Sequence, residues 1–109
     1  MTLTVTGNTF KLVAGMTYTP SSANRLVSFT STSGTTLITS AGKTFGSITC
    51  NGAGGTFQPQ DTLAVSSVGT LTVTAGTFDA NNQNMSTGIL SSTGAGVARA
   101  ITLGSGTLT

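Results

Sequence analysis

A Thr-Leu pair recurs along the chain at a nearly constant spacing. The pairs begin at Thr2, Thr36, Thr70 and Thr107, which are 34, 34 and 37 residues apart. Thr-Phe pairs follow the first three of them and begin at Thr9, Thr44 and Thr77. Apolar segments precede each next Thr-Leu pair and begin at Arg25, Thr62 and Arg99. The Thr-Leu pairs, the Thr-Phe pairs and the apolar segments recur with nearly the same spacing. This shared spacing indicates a structural repeat, which restricts the fold more than any other feature.

The local pattern within each repeat is that of β-strands. Thr2–Thr6 and Thr70–Thr74 alternate apolar and polar residues with a period of two. Thr and Val favour strands because their branched Cβ atoms pack well on a pleated surface. Gly, Asn and Ser interrupt the pattern at short intervals, and no segment shows the apolar spacing of a helix.

These observations predict an all-β fold, a parallel β-helix or β-solenoid of about three repeats of 34–37 residues. We expect one segment over residues 1–109, with repeats at 1–34, 35–69 and 70–106 and the start of a fourth at 107. Equivalent side chains would then stack on one another. The expected columns are Leu3, Leu37, Leu71 and Leu108; Phe10, Phe45 and Phe78; and Leu26, Leu63 and Ile101.

Two aspects of this architecture stay open. A repeat can be one wide coil or two narrow ones, with irregular excursions expected at Met16–Asn24, Gly52–Gln60 and Met85–Ala98. The alternative fold is a β-sandwich, but its hairpins need tight turns, and Asn51-Gly52 is the single pair that suits one. Both ends cut the repeat in mid-phase, so we expect a segment of a longer chain or ends that partners cover.

The composition excludes several classes of function. The 109 residues include no His, no Glu and a single cysteine, and the net charge at neutral pH is +2. Zinc sites and general acid–base catalysis therefore lack their usual side chains. The few cations are too dispersed for a nucleic-acid interface, and no apolar run is long enough for a membrane helix. We expect no enzyme activity, no cofactor, no metal, no nucleic acid and no membrane insertion.

Few residues qualify as candidates for chemistry, and each has a simpler structural interpretation. Asp61 and Asp79 are the only carboxylates, and they occupy different phases of the repeat, as expected of turn residues rather than a glycosidase pair. Cys50 lies in a predicted strand without a His to activate it, which favours a buried filler. The glycine-rich runs 52–55 and 94–96 lack the Lys and helix of a phosphate loop, so we interpret both as turns.

Two polar surfaces are candidates for binding. The run 79–84 is a predicted polar turn that also offers hydrogen bonds to a sugar. Two segments would each place three threonine hydroxyls on one face of a strand, as in ice-binding solenoids. They contain Thr2, Thr4 and Thr6, and Thr70, Thr72 and Thr74. The middle repeat interrupts this row, because Ile38 occupies the position where Thr is needed.

Gly- and Thr-rich segments at 19–25, 30–36, 42–57, 61–63, 69–79 and 99–106 together extend over nearly the whole chain. In these segments the chain resembles the Gly/Thr-rich β-solenoid repeats of phage structural proteins and bacterial surface proteins. The resemblance implies a non-catalytic structural or adhesive module of a tail fibre, a spike or a cell-surface protein, located on the virion or outside the cell. The implied partners are copies of the chain or neighbouring segments of a larger assembly, with a surface glycan as a further partner. A glycan- or receptor-binding adhesin and a Thr-rich ice-binding protein are the alternatives.

Overall fold

The computed structural model describes residues 2–17, 25–94 and 97–109, and these residues form strands, turns and loops without a helix. Accordingly, no helix in this part of the chain is able to span a membrane. The strands are β1 (Thr2–Val5), β2 (Thr9–Lys11), β3 (Leu26–Phe29), β4 (Thr35–Thr39), β5 (Thr44–Phe45), β6 (Ser47–Pro59), β7 (Leu63–Val65), β8 (Thr70–Asp79), β9 (Met85–Ser86), β10 (Ile89–Ser92) and β11 (Arg99–Thr102).

The strands form three faces of a coil, and the chain passes over the faces in the same order on each turn. Face 1 contains β1, β3, the first part of β6, the first part of β8, and β10. Face 2 contains β2, β4, the later parts of β6 and β8, and β11. Face 3 contains β5, β7 and β9, and Leu108 continues it by bridging to Met85.

Every strand pairing among the described residues is parallel, and the coils stack in about four turns, so the β-solenoid prediction is confirmed. Backbone hydrogen bonds continue past the strand ends at the corners. Leu12 N–H donates to the Thr39 carbonyl at 2.8 Å, and Gln60 N–H donates to the Ile38 carbonyl at 2.8 Å. Each coil therefore supplies the hydrogen-bond partners of the next one, as a buried backbone requires.

The inward side chains of all three faces form the core. The columns at its centre are Val27, Ile48 and Leu71; Phe29, Cys50 and Val73; and Phe57 and Phe78. These side chains are almost completely buried, whereas their strand neighbours point outward. The alternation seen in the sequence is thus the inward and outward alternation of a strand with one buried side.

The repeat length differs from the predicted 34–37 residues. Residues stacked directly on each other lie 19 to 28 positions apart, for example Leu26 with Ser47 and Thr70 with Ile89. The 34-residue spacing corresponds to about one and a half coils. Leu3 and Leu71 therefore do share a column, but three coils apart, whereas Leu37 lies on face 2 opposite Gln58 and is 40% exposed.

The phenylalanines likewise do not form the predicted column. Phe10 pairs with Ile38, Phe45 with Val65, and Phe78 with Phe57. Their rings nevertheless belong to one core, which Phe10 and Phe78 enter from face 2 and Phe45 enters from face 3. The ring centroid of Phe10 lies 5.6 Å from that of Phe29 and 6.0 Å from that of Phe45.

Two of the expected excursions also need correction. Residues 52–59 belong to strand β6, which continues around the corner between faces 1 and 2 with register shifts near Asn51. Glycine is required there because a Cβ on Gly55 would lie 2.2 Å from the Ser31 carbonyl oxygen. Residues 85–98 include β9 and β10, which both pair with the preceding coil. The excursion at 16–24 falls mostly on residues 18–24, outside the described residues.

One buried polar group suggests a stability test. Thr36 is 1% exposed and stacks on Phe57, and its Oγ1 has no hydrogen-bond partner in the described structure. An unsatisfied buried hydroxyl is destabilising. We expect Thr36→Val to raise the free energy of unfolding by about 1 kcal/mol, because a methyl group replaces the hydroxyl at nearly the same volume.

Denaturant unfolding of the two proteins measures this difference. The matched control is Thr56→Val, since Thr56 lies on the same face but points outward and is half-buried. A loss of stability in Thr36→Val relative to that control would contradict the prediction.

Candidate functional surface

Asp61 lies at a corner, where it connects two coils. Its Oδ1 accepts hydrogen bonds from Ser40 N–H at 2.9 Å and Ser40 Oγ at 2.8 Å, and its Oδ2 accepts one from Ala41 N–H at 2.8 Å. Burial by itself would raise the pKa of this carboxyl, but these hydrogen bonds outweigh it, and the pKa lies below its ordinary value. The carboxylate is therefore held as an anion that caps the backbone of the preceding coil.

Asp79 and the asparagines after it have the same kind of role in the next coil. Asp79 accepts hydrogen bonds from Asn81 N–H at 2.9 Å and from Gln58 Nε2 at 3.1 Å. Asn82 Oδ1 accepts from Ser105 N–H at 2.8 Å, and Asn84 Oδ1 accepts from Thr107 N–H at 3.0 Å. The predicted polar turn is therefore present, and it is bonded to the preceding coil through Asp79 and to the following coil through Asn82 and Asn84.

Cys50 is completely buried between Phe29 and Val73 in the core of face 1. Burial raises the pKa of its thiol to about 12. At neutral pH the group is therefore a thiol rather than the thiolate that a nucleophile or metal ligand requires. The described residues also contain no group of three or more His, Cys, Asp or Glu side chains able to hold a metal ion.

A groove of about 230 Å³ lies at the corner next to β11. It is lined by Gly54, Gly76, Thr77, Ala98, Arg99 and Ala100. The Arg99 guanidinium donates to Ser92 Oγ at 2.8 Å, to the Val97 carbonyl at 3.2 Å and to the Gly94 carbonyl. The Arg99 side chain beside this groove is thus engaged in hydrogen bonds to residues 92, 94 and 97 of its own chain segment. Residues 95 and 96 of the second glycine run lie outside the described residues.

The outward side of face 1 carries the most regular array of polar side chains. We call it the hydroxyl face and define it by two columns of stacked residues. The first column is Thr2, Leu26, Ser47, Thr70 and Ile89, and the second is Thr4, Ser28, Thr49, Thr72 and Ser91. Ser47 and Thr70 of the first column are joined by a hydrogen bond that Thr70 N–H donates to Ser47 Oγ at 3.1 Å. Three residues of the first column and all five of the second carry a hydroxyl, and none of the ten is charged.

The hydroxyl face was partly predicted from the sequence, with one error. Thr4 and Thr72 do belong to one column, but the positions between them are Ser28 and Thr49. Ile38, which a 34-residue repeat places in this row, lies instead on face 2 with its side chain in the core, and it is 0% exposed. The interruption therefore followed from the wrong repeat length, and the second column is continuous.

No protein-family model, curated protein or solved structure matches the chain. Functional interpretation consequently rests on the architecture and on the chemistry of its surfaces.

The Asp61 cap predicts a specific dependence of stability on pH. A carboxyl whose pKa is lowered in the folded state binds fewer protons there than in the unfolded chain. Its contribution is present above the ordinary pKa near 3.8 and is lost as the pH falls below that value. We expect Asp61→Asn to lower the free energy of unfolding at neutral pH by about 1 kcal/mol, since the amide nitrogen cannot accept the Ala41 hydrogen bond.

Denaturant unfolding between neutral pH and pH 3 measures both effects. The difference in stability between the parent and Asp61→Asn should shrink at the acid end of this range. A difference that stays constant with pH would contradict the assigned cap.

Proposed function

We propose that the chain is a non-catalytic structural or adhesive β-solenoid module of a virion appendage, such as a tail fibre or spike, or of a cell-surface protein. The observation that carries this proposal is the continuous stack of parallel strands over a shared core. In such a stack each coil is held by its neighbours, and deformation of one coil disturbs the packing of the next. The module would act as a stiff spacer that holds other parts of an assembly at a fixed distance.

The use of the polar groups supports this role. Both carboxylates, Asp61 and Asp79, accept hydrogen bonds that hold turns or bind adjacent coils. The buried thiol is protonated, and Arg99 binds its own loop. Side chains that an enzyme would direct at a substrate are here engaged in holding the stack together.

The surface chemistry bears on the proposed partners. A chain with six charged residues among 109 has little electrostatic repulsion between copies. Neighbouring segments or further copies are therefore suitable partners, and hydroxyl-rich faces also offer hydrogen bonds to a neutral surface glycan. The proposed module would meet such partners on the exterior of a virion or a cell.

The stiffness of the module is testable by pulsed electron spin resonance. Spin labels at Ser33→Cys and Ser105→Cys would report the distance between the second coil and the last, since both positions are exposed. The native Cys50 should stay unlabelled because it is buried and its thiol is protonated. We expect one narrow distance distribution that does not change when large domains are fused to the ends.

Two glycine variants provide the comparison. A Cβ on Gly76 would lie 2.4 Å from the Gly52 carbonyl oxygen, so Gly76→Ala should broaden the distribution by disturbing the stack between the labels. Gly7→Ala meets no atom within 4 Å and should leave it narrow. A broad distribution in the parent protein would contradict the spacer role.

The alternatives within the proposal have separate readouts. Binding to particular sugars on a glycan array would favour the adhesive role. Turnover of a polysaccharide would oppose the non-catalytic assignment, and turnover that survives Asp61→Asn and Asp79→Asn would assign the activity to other side chains. Antibodies to the module should label the appendages of intact virions or the surface of intact cells. Labelling confined to the cell interior would contradict the proposed location.

A further inference from the structure

The hydroxyl face is a two-dimensional lattice whose spacings are set by the backbone. Its rows lie on neighbouring parallel strands, so successive residues of a column are about 4.8 Å apart. Its columns lie two residues apart along each strand, which corresponds to about 6.7 Å. The pairings that define the columns run through five strands, and the register shifts between β6 and β8 begin only beyond Cys50.

The lattice is also rigid. The side chains that alternate with it along the three central strands, Val27, Ile48 and Leu71, are 0–2% exposed and packed in the core. Thr49 and Thr72 have branched Cβ atoms, which restrict the first side-chain torsion. Their hydroxyl and methyl groups are therefore held in place before any partner arrives.

The chemistry of the lattice restricts what it can bind. The absence of charge at all ten positions gives it no means to select an ionic partner. The described phenylalanines belong to the core, so the face presents no aromatic platform on which a sugar ring would stack. What it offers is a regular alternation of hydroxyls with methyl groups or apolar side chains, which suits a neutral partner that is itself a lattice.

We propose that the hydroxyl face binds ice. An ice surface is a fixed array of oxygens that donate and accept hydrogen bonds, and a rigid array of hydroxyls can bond to many of them at once. Each bond is weak, but a preorganised face loses little conformational freedom on binding. Contact with ice also releases water from the threonine methyl groups and from the apolar side chains of Leu26 and Ile89, which makes the free energy of binding more favourable. A bound module would then block growth of the crystal at that position.

Face 2 is the internal comparison, because the same strands build it with different outward chemistry. Thr35, Thr56 and Thr77 form a short column there. The adjacent positions carry Gln58 and Asp79, which bond to each other, and Leu37, which protrudes. A charged and uneven surface of this kind does not match a neutral lattice, so we assign ice binding to face 1 alone.

The test is thermal hysteresis and inhibition of ice recrystallisation by the purified chain. We expect both activities in the parent protein. Thr49→Lys and Thr72→Lys should reduce them by about ten-fold or more, because a charged group at the centre of the face loses water without gaining a partner. Thr56→Lys and Thr77→Lys are matched controls in the same two strands, equally half-buried but on face 2, and should retain activity.

A second substitution keeps the test independent of folding. Thr49→Tyr places a bulky neutral group above the plane of the lattice and should also abolish the activities, while thermal unfolding shows that the protein remains folded. Absence of hysteresis and of adsorption to ice in the parent protein would overturn the proposal. Equal losses in the face 1 and face 2 variants would overturn it as well. Either result leaves the spacer role unaffected, since that role is read from distances between labels.

Discussion

The structure depends on in-register backbone hydrogen bonding between successive coils. Parallel pairing fixes which residue lies above which, and this decides whether a side chain enters the core or faces solvent. The columns Val27–Ile48–Leu71 and Ser28–Thr49–Thr72 are neighbours on the same strands, yet one forms the core and the other forms a surface. The core, the corner caps and the hydroxyl face are all consequences of that single register.

The sequence was sufficient to predict the class of fold. Alternating Thr and Leu, frequent branched residues and the lack of helical spacing all indicate strands, and internal recurrence indicates a solenoid. The coil length was not predictable in the same way. Strands on faces 1 and 2 show the same alternation of apolar and polar residues, so the pattern does not reveal to which face a strand belongs. Leu37 and Leu71 both follow a threonine in an apolar, β-favouring segment, although one points outward and the other inward. Only the pairing between coils separates them.

The same limit applies to the candidate surface. The sequence correctly suggested that Thr4 and Thr72 lie in one row, but it could not identify Ser28 and Thr49 as the residues between them. The structural interpretation of Asp61 was predictable from the preference of Asp for turns. Its partners in the preceding coil were not, since Ser40 and Ala41 precede it by about one coil length.

The corner between faces 1 and 2 tolerates different lengths of chain. Residues 6–8 form it in the first coil and residues 30–34 in the second, whereas β6 continues through it as a strand. As a result, Thr2 pairs 24 residues ahead on face 1, while Thr9 pairs 28 residues ahead on face 2. The stack absorbs this difference without losing parallel pairing. This corner is thus a natural place to graft a foreign peptide, such as an epitope or an affinity tag, for multivalent display.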